Sequence, residues 1–346
     1  MRLRADHDLA FLFKFENIAW YENGSVRILD RRIYPATEVF VTCRTHREVA
    51  RAITDMVTQS YGPFHAAAMG MVLAAHECRD KTAAEQKAYL SAAADAFVGA
   101  RPTTARKMRV WTDDCEKDAS VALERGESAE EAIMRGALAK FSSRYDRFDR
   151  EARFFIEKIP KNPTIMTQCY GDADLGMLLR ALRERGDEAK FFTPETRPYL
   201  QGARLTASVI CDMGFEVTLI TDNMPGYVLG HKDVTLFTTS ADVITMDGHV
   251  VNKVGTFQIA LAANYYGVPY YVAGFPDRTH PTIDTVKIEE RNADEVRHAM
   301  GVITCKPNVK AFYPAFDITP PELVTGVATD MGVLKPTELE RYQPSV

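Results

Sequence analysis

The sequence predicts an α/β protein in which a Rossmann-like, doubly wound parallel sheet forms the C-terminal part, behind a mainly helical N-terminal domain that starts with short β-strands. Three observations predict it. After Pro160, β-compatible runs alternate with runs whose apolar residues fall at helical spacing, the pattern of βαβ units. Before it lie long alanine-rich segments, Ala92-Ala93-Ala94 among them, which suit tight helix packing. At the start, two β-type runs flank Asn23-Gly24, a pair that favours the positive φ angles of a tight hairpin turn. The change of texture divides the chain into an N-terminal domain, 1–145, and a C-terminal substrate and catalytic domain, 146–346.

The elements follow in order. Ile18-Ala19-Trp20-Tyr21 and Val26-Arg27-Ile28-Leu29-Asp30 read as the opening strands. Helical patterns occupy 46–59, 66–78 and 83–97. Gly99-Ala100-Arg101-Pro102-Thr103-Thr104 breaks them, and helices resume at 105–110 and 128–159. Beyond the breaker Pro160-Lys161-Asn162-Pro163, strands are predicted at 164–168, 188–192, 216–221, 243–246 and 269–273. Helices are predicted between them at 175–185, 199–213 and 253–266, the first closing at Gly186. The tail, 335–346, reads as loosely held.

Composition narrows the function classes. The chain has 346 residues, 46% of them hydrophobic and 26% charged, with a formal net charge of −5. That is enough for about two domains, and without a basic stripe it argues against nucleic acid as a partner. No apolar run approaches the ~18 residues of a membrane span, and the start has no apolar stretch of signal-peptide length. Cys43, Cys78, Cys115, Cys169, Cys211 and Cys305 are widely spaced, with no Cys-x-x-Cys pair. Neither a disulfide framework nor a structural zinc site is expected, and a cytoplasmic location is. Gly226-x-x-x-Gly230 and Gly267-x-x-x-x-x-x-Gly274 match neither a dinucleotide fingerprint nor a phosphate loop. His65, His231, His249 and His280 show no metal-ligand spacing.

Two polar clusters stand out because folding does not require them. One is Gln201-Gly202-Ala203-Arg204-Leu205-Thr206. The other begins where Asp242 interrupts a β-rich run and reaches Asn252-Lys253 and Gly255-Thr256. Strand ends and helix starts in an open α/β sheet are where small anionic ligands sit. Cys169, after the first predicted parallel strand and ahead of a helix, occupies such a place, where thiolates are commonly stabilised. Each candidate also has a plain reading: a buried thiol for Cys169, a helix cap for Asp242, a backbone-bonded amide for Gln201, and a turn residue and a solvated charge for Asn252 and Lys253. Arg101 reads as a loop charge or a ligand contact, and Asp222 and Asn223 as residues that orient neighbours.

Several ordered blocks carry a resemblance. Gln201 to Thr206, Leu219-Ile220-Thr221-Asp222-Asn223-Met224, Ser240-Ala241-Asp242 through Gly255-Thr256, Ile288-Glu289-Glu290-Arg291 and Tyr313-Pro314-Ala315-Phe316-Asp317-Ile318-Thr319-Pro320 resemble the methylthioribose-1-phosphate isomerase family. Cys43-Arg44-Thr45 and Asp55-Met56-Val57 fit as well. That family shares its fold with ribose-1,5-bisphosphate isomerase and the regulatory subunits of translation initiation factor 2B. The resemblance implies an aldose-to-ketose isomerase for a 5-substituted ribose 1-phosphate, a place in methionine salvage, and a homodimer. It implies Cys169 and Asp242 as the catalytic pair, with Arg101, Gln201, Asn252 and Lys253 holding substrate. No metal or redox cofactor is implied, because one carbon is oxidised as its neighbour is reduced. The alternatives are an isomerase of ribose 1,5-bisphosphate or a 5-deoxypentose phosphate, or a ligand-sensing protein without chemistry.

The sequence departs from that pattern in two places. Gln168 and Tyr170 flank Cys169 where the family has His and Asn. Gln59-Ser60-Tyr61-Gly62-Pro63 stands where the family has Arg-Gly-Ala-Pro, so a planar cation suited to bidentate phosphate binding gives way to a neutral amide. Gln59 and Tyr61 are therefore candidate substrate contacts of an altered kind, and the departures point to a paralogue with shifted specificity.

Overall fold

A computed structural model describes residues 4–101, 104–299 and 301–343. The chain divides into two compact units, Met1–Tyr145 and Asp146–Val346. Among the described residues no helix is long and apolar enough to cross a membrane.

Unit 1 opens with a short helix, α1 (Phe15–Ile18), and the hairpin of β1 (Ala19–Glu22) and β2 (Ser25–Leu29). Asn23 and Gly24 take φ of 48° and 73° at its turn, as their types allow. A third strand that the sequence reading did not place, β3 (Phe40–Cys43), pairs antiparallel with β2. Helix α2 (His46–Thr54) is capped by the Thr45 side chain accepting from the Glu48 N–H. It stops short of the predicted residue 59 because Met56, just past its C-cap Asp55, turns to positive φ. Helix α3 (Gly62–Cys78) starts earlier than predicted, with Pro63 in its first turn, where a missing N–H leaves no bond unmade. It is buried on nearly every side, which requires small residues: a Cβ on Gly70 would lie 2.4 Å from the Phe97 ring. Helix α4 (Ala83–Ala100) starts at a Thr82–Glu85 capping box and runs through Gly99, so the predicted break begins only at its C-cap, Arg101. Pro102 and Thr103 lie outside the described residues. Helix α5 (Ala105–Glu124) outruns the predicted 105–110, its buried Met108, Trp111, Thr112, Cys115 and Ala119 continuing one face. Helix α6 (Ala129–Ile156) contains the division between the units.

Unit 2 alternates as predicted. It contains β4 (Thr164–Met166), α7 (Ala173–Arg185), β5 (Lys190–Pro194), α8 (Ala207–Asp212), β6 (Glu216–Ile220), α9 (Pro225–His231), β7 (Leu236–Ser240), β8 (Val243–Ile244), β9 (Val250–Lys253), α10 (Thr256–Tyr265) and β10 (Tyr270–Ala273). After these come α11 (Asp294–Arg297), a small hairpin of β11 (His298–Ala299) and β12 (Val302–Ile303), and then β13 (Phe316–Thr319), β14 (Gly326–Thr329) and β15 (Gly332–Leu334). Seven strands form one sheet in the order β15-β14-β10-β7-β4-β5-β6. All neighbours are parallel except β14 and β15. Its core gathers Met166, Phe237, Tyr270, Val272 and Val327; each such side chain contributes about 1.5–3 kcal/mol by leaving water.

Four expectations are corrected here. The predicted strand 243–246 is not in the main sheet: β7 takes that place, and β8 joins a separate antiparallel sheet, β13-β9-β8. The predicted helix 253–266 begins only at Thr256, because Lys253 is the last residue of β9, paired with Phe316 of β13. The predicted helix 199–213 is a π-helical turn, Gly202–Thr206, followed by α8. The tail is not loose over its described part: Pro336–Arg341 forms a 3₁₀ helix and Leu339 and Tyr342 are buried, while 344–346 lie outside the described residues.

Candidate functional site

The strand order places a topological switch point between β4 and β7. From β4 the chain runs outward through β5 and β6, and it returns on the other side through β7, β10 and β14. Loops leaving two adjacent parallel strands in opposite directions open a crevice at their carboxyl ends. Cys169 lies in the loop after β4, and Asp242 just beyond the end of β7. A Cβ on Gly171 would come within 2.4 Å of Ser240 Oγ, so the two loops pack closely.

The backbone around Cys169 is held in a conformation that side chains rarely adopt. Cys169 has φ 62°, Asp172 59°, Thr196 62° and Leu200 60°. Four left-handed non-glycine residues in the loops after β4 and β5 cost on the order of 1–3 kcal/mol each. Hydrogen bonds hold them there. The Cys169 N–H donates to Thr196 Oγ1 at 3.2 Å, and Thr206 Oγ1 donates to the Cys169 carbonyl. Asp222 fixes the second loop by accepting from the N–H groups of Thr196 (2.8 Å) and Arg197 (2.7 Å), an orienting part that agrees with its sequence reading.

Gln168 is buried and reaches from this loop to the next element. Its Nε2 donates to the Val254 carbonyl at 3.3 Å, and it packs so near Gly255 (φ 108°) that a Cβ there would lie 2.9 Å from it. The turn from β9 into α10 is further held by Asp317, whose carboxylate accepts from the N–H groups of Gly255 (2.6 Å) and Phe257 (3.2 Å). Burial raises the Asp317 carboxyl to about 6 against these bonds.

Asn252 and Lys253 are therefore neither turn residue nor solvated charge. Both are buried in β9. Asn252 Nδ2 donates to Thr256 Oγ1 at 3.1 Å. The Lys253 ammonium lies 4.8 Å from the centre of the Phe316 ring and 6.0 Å from that of Tyr313, and burial lowers its pKa. Asp242 is exposed, leads into β8 rather than a helix, and is tied to β9 by its N–H, which donates to the Val251 carbonyl at 3.0 Å.

Charge interactions join these residues into one group. Cys169 feels Lys253, Asp242 and Arg291, and Lys253 feels Cys169, Arg291, Asp242 and Glu289. Part of the cysteine remains accessible, yet enough protein surrounds its sulfur that burial pushes the thiol up to about 11, against the lowering effect of Lys253. The thiolate-stabilising surroundings expected from the loop's position are thus not found; near pH 7 this thiol is neutral. Gln201 precedes the π-helical turn, and its buried Oε1 has no hydrogen-bond partner. Gly202 allows that turn to lie against β5, since a Cβ would meet the Pro194 carbonyl at 1.8 Å.

Cys169, Asp242, Gln201, Asn252 and Lys253 all belong to unit 2, whereas Gln59, Tyr61 and Arg101 belong to unit 1. In unit 1, Gln59 is buried and its carbonyl accepts from Arg31 at 2.8 Å. The Tyr61 ring packs against Phe64 (4.6 Å) and Trp111 (5.9 Å), with the Arg144 guanidinium 3.4 Å from its centre. His65 is a core residue stacked on Phe141 at 3.8 Å, its pKa held well below the usual value by burial. Sequence reasoning did not single out Gln168, Arg291, Tyr313 or Asp317 as site residues. The last three were visible only as parts of quoted motifs.

Comparison with known proteins agrees with this architecture. The profile of the Initiation factor 2 subunit family matches residues 61–336. The chain belongs to this family. It is 35% identical to a methylthioribose-1-phosphate isomerase of Carboxydothermus hydrogenoformans over 94% of this chain and 97% of that one. It is likewise 35% identical to the protein of that name from Thermotoga neapolitana, over 93% and 96%. Among solved structures, 5-methylthioribose 1-phosphate isomerase from Pyrococcus horikoshii superposes with a TM-score of 0.83 at 27% identity, covering 95% of both chains. The delta subunit of translation initiation factor eIF-2B from A. fulgidus gives 0.82 at 30% identity, over 93% of this chain and 96% of that one.

Proposed function

We propose that this family member is an aldose–ketose isomerase that converts a 5-substituted ribose 1-phosphate, of the methylthioribose-1-phosphate kind, into the ribulose 1-phosphate form. The observation that carries the reading is the grouping of a neutral thiol, a carboxylate and a buried ammonium at the switch point, on a chain 35% identical to isomerases of that name.

A sugar phosphorylated on its anomeric oxygen has no free aldehyde, so the ring must open first. Asp242, entering the cycle as the carboxylic acid, donates its proton to the ring oxygen as the bond from that oxygen to carbon 1 breaks. Hydrogen then moves with its electron pair from carbon 2 to carbon 1. The hydroxyl on carbon 2 returns its proton to the Asp242 carboxylate as the ketone forms, so atoms and charge balance without an external oxidant. The neutral Cys169 favours this route over proton abstraction by a thiolate. Its part is to line a dry site in which charge on carbon 1 is not quenched by water. Lys253 and Asn252 hold the phosphate and hydroxyls, and fixed groups of this kind stabilise developing charge without reorganising. Gln201 Oε1, buried without a donor, suits a sugar hydroxyl. Substrate roles for Arg101, Gln59 and Tyr61 remain tied to the resemblance. The test is turnover of purified protein on methylthioribose 1-phosphate, read by formation of the ketose; no ketose at millimolar substrate sinks the reading.

A second reading is supported by the equal likeness to the eIF-2B delta subunit: a ligand-sensing protein with the same fold. Under it, sugar phosphates would bind and raise the melting temperature without being converted. We further propose a cytoplasmic homodimer acting in methionine salvage; a monomer in sedimentation at micromolar concentration would count against the dimer.

A further inference from the structure

Tyr313 is 3% exposed, and its hydroxyl proton finds no acceptor among the described residues, although the Arg291 guanidinium lies close enough to donate toward its oxygen. A buried phenol normally finds one. Its surroundings explain why none is present. The ring lies 6.0 Å from the Lys253 ammonium and 6.0 Å from the Tyr199 ring. The Arg291 guanidinium acts on both tyrosines and packs on the rings of Tyr199 (5.5 Å) and Phe316 (5.6 Å). Cations donate and cannot accept, so neither Arg291 nor Lys253 can take the phenol's proton. The nearby carboxylates are engaged: Glu295 accepts from the Tyr199 hydroxyl at 2.8 Å, and Glu289 from Arg291 Nε at 2.9 Å. What is missing is an acceptor that tolerates two cations as neighbours.

We propose that the Tyr313 hydroxyl is a substrate-binding donor, and that it hydrogen-bonds a phosphoryl oxygen lying between Arg291 and Lys253. This rests on the sugar-phosphate isomerase reading and adds two residues to it. Arg291 serves as the second cation of the subsite, oriented by Glu289 and by the faces of Tyr199 and Phe316. Burial holds the phenol well above its ordinary pKa, so it stays protonated and able to donate throughout the working range.

A hydroxyl reserved for a ligand and a hydroxyl that holds the fold respond oppositely to removal. Deleting a buried hydroxyl whose proton has no acceptor leaves stability nearly unchanged, whereas a lost bond to a charged acceptor weakens binding by about tenfold or more. The experiment compares wild type, Tyr313→Phe and Tyr199→Phe, using thermal unfolding with and without inorganic phosphate and steady-state kinetics on methylthioribose 1-phosphate. Expected for Tyr313→Phe are a nearly unchanged melting temperature without phosphate, a reduced phosphate-induced rise, and a KM raised at least about tenfold. Tyr199→Phe, which loses a bond already made, should melt lower. A Tyr313→Phe protein that melts lower but keeps its phosphate response and KM overturns the proposal, as does a wild type whose melting ignores phosphate. Failure of the wild type to form ketose, with the phosphate response present and dependent on Tyr313, sinks the isomerase reading and leaves the subsite standing.

Discussion

The switch point of unit 2 and the segment 59–65 of unit 1 are both rich in polar and aromatic residues, and they differ in what those residues pack against. Around Cys169 the protein accepts left-handed backbone, a buried ammonium and side-chain oxygens without partners. Around Gln59 and Tyr61 it also takes left-handed backbone, at Met56 and Ser60, and leaves Thr58 Oγ1 and both His65 nitrogens unbonded, while it packs rings on rings and a guanidinium on a ring. Strain and unmet hydrogen bonds persist only where something else is gained, and functional sites are where they gather. What separates them is the buried ammonium beside a thiol and a carboxylate in the first, against stacked rings in the second.

The most severe way to break that contrast is to remove the chemistry without the packing. Asp242→Asn should lower kcat at least about a hundredfold, the usual range for a group that moves a proton, and Cys169→Ser, which puts a hydrated hydroxyl in place of the thiol that keeps the site dry, should lower it as well, both with melting temperatures near wild type. Near-normal turnover of either variant would show the pair is not the reacting one.

The state of the thiol sharpens the same contrast. With its pKa pushed up to about 11 by burial, Cys169 should carry roughly a hundredfold less thiolate at pH 8 than an ordinary cysteine. Peptide mapping after iodoacetamide treatment should find the exposed Cys211 labelled long before Cys169. The sign for stability follows: between pH 9 and 11 an unfolded chain loses this proton and the folded one keeps it, so the thiol's contribution to stability falls as pH rises through that window. Rapid labelling of Cys169 at pH 7 would favour a thiolate base and proton transfer.

Legibility followed the range of the interactions involved. The alternation after Pro160 and the hairpin at Asn23-Gly24 are local signals, and both were readable. The assignment of 243–246 to the main sheet failed because Leu236–Ser240 and Val243–Ile244 are equally β-compatible; only pairing with distant strands separates them. Lys253 read as a helix start because β9 is defined by its partner β13, some sixty residues on. The places of Cys169 and Asp242 beyond the ends of β4 and β7 were readable from strand-end position and motif. The unaccepted proton of Tyr313 and the partnerless oxygen of Gln201 could not, since a missing bond is visible only once every neighbour is placed.

Asp317 offers a smaller effect, on stability. Its folded pKa of about 6 lies above the ordinary ~3.9 of an unfolded aspartate, so the folded state holds the proton more tightly. Its contribution to stability is complete below about pH 4 and is lost as pH rises through 6, by roughly 1–3 kcal/mol. Asp317→Asn should flatten that part of the melting profile between pH 4 and 7. A variant whose pH profile parallels wild type would mean the carboxyl titrates normally.

The smallest expected effect is the one that tests the comparison most directly. Lys253→Ala takes a buried cation from the switch point and should raise KM by about tenfold or more, the scale of a lost charged hydrogen bond. Gln59→Ala should raise it less than about threefold, because the contact this residue visibly makes is through its backbone carbonyl to Arg31, and alanine keeps that carbonyl. Tyr61→Leu, by contrast, removes the ring beneath Arg144 and should cost stability, about 0.5–2 kcal/mol for the cation–π contact, with little change in kcat. If Gln59→Ala instead raised KM as much as Lys253→Ala, the amide side chain would be a substrate contact in its own right. The segment 59–65 would then join the switch point as part of the substrate site.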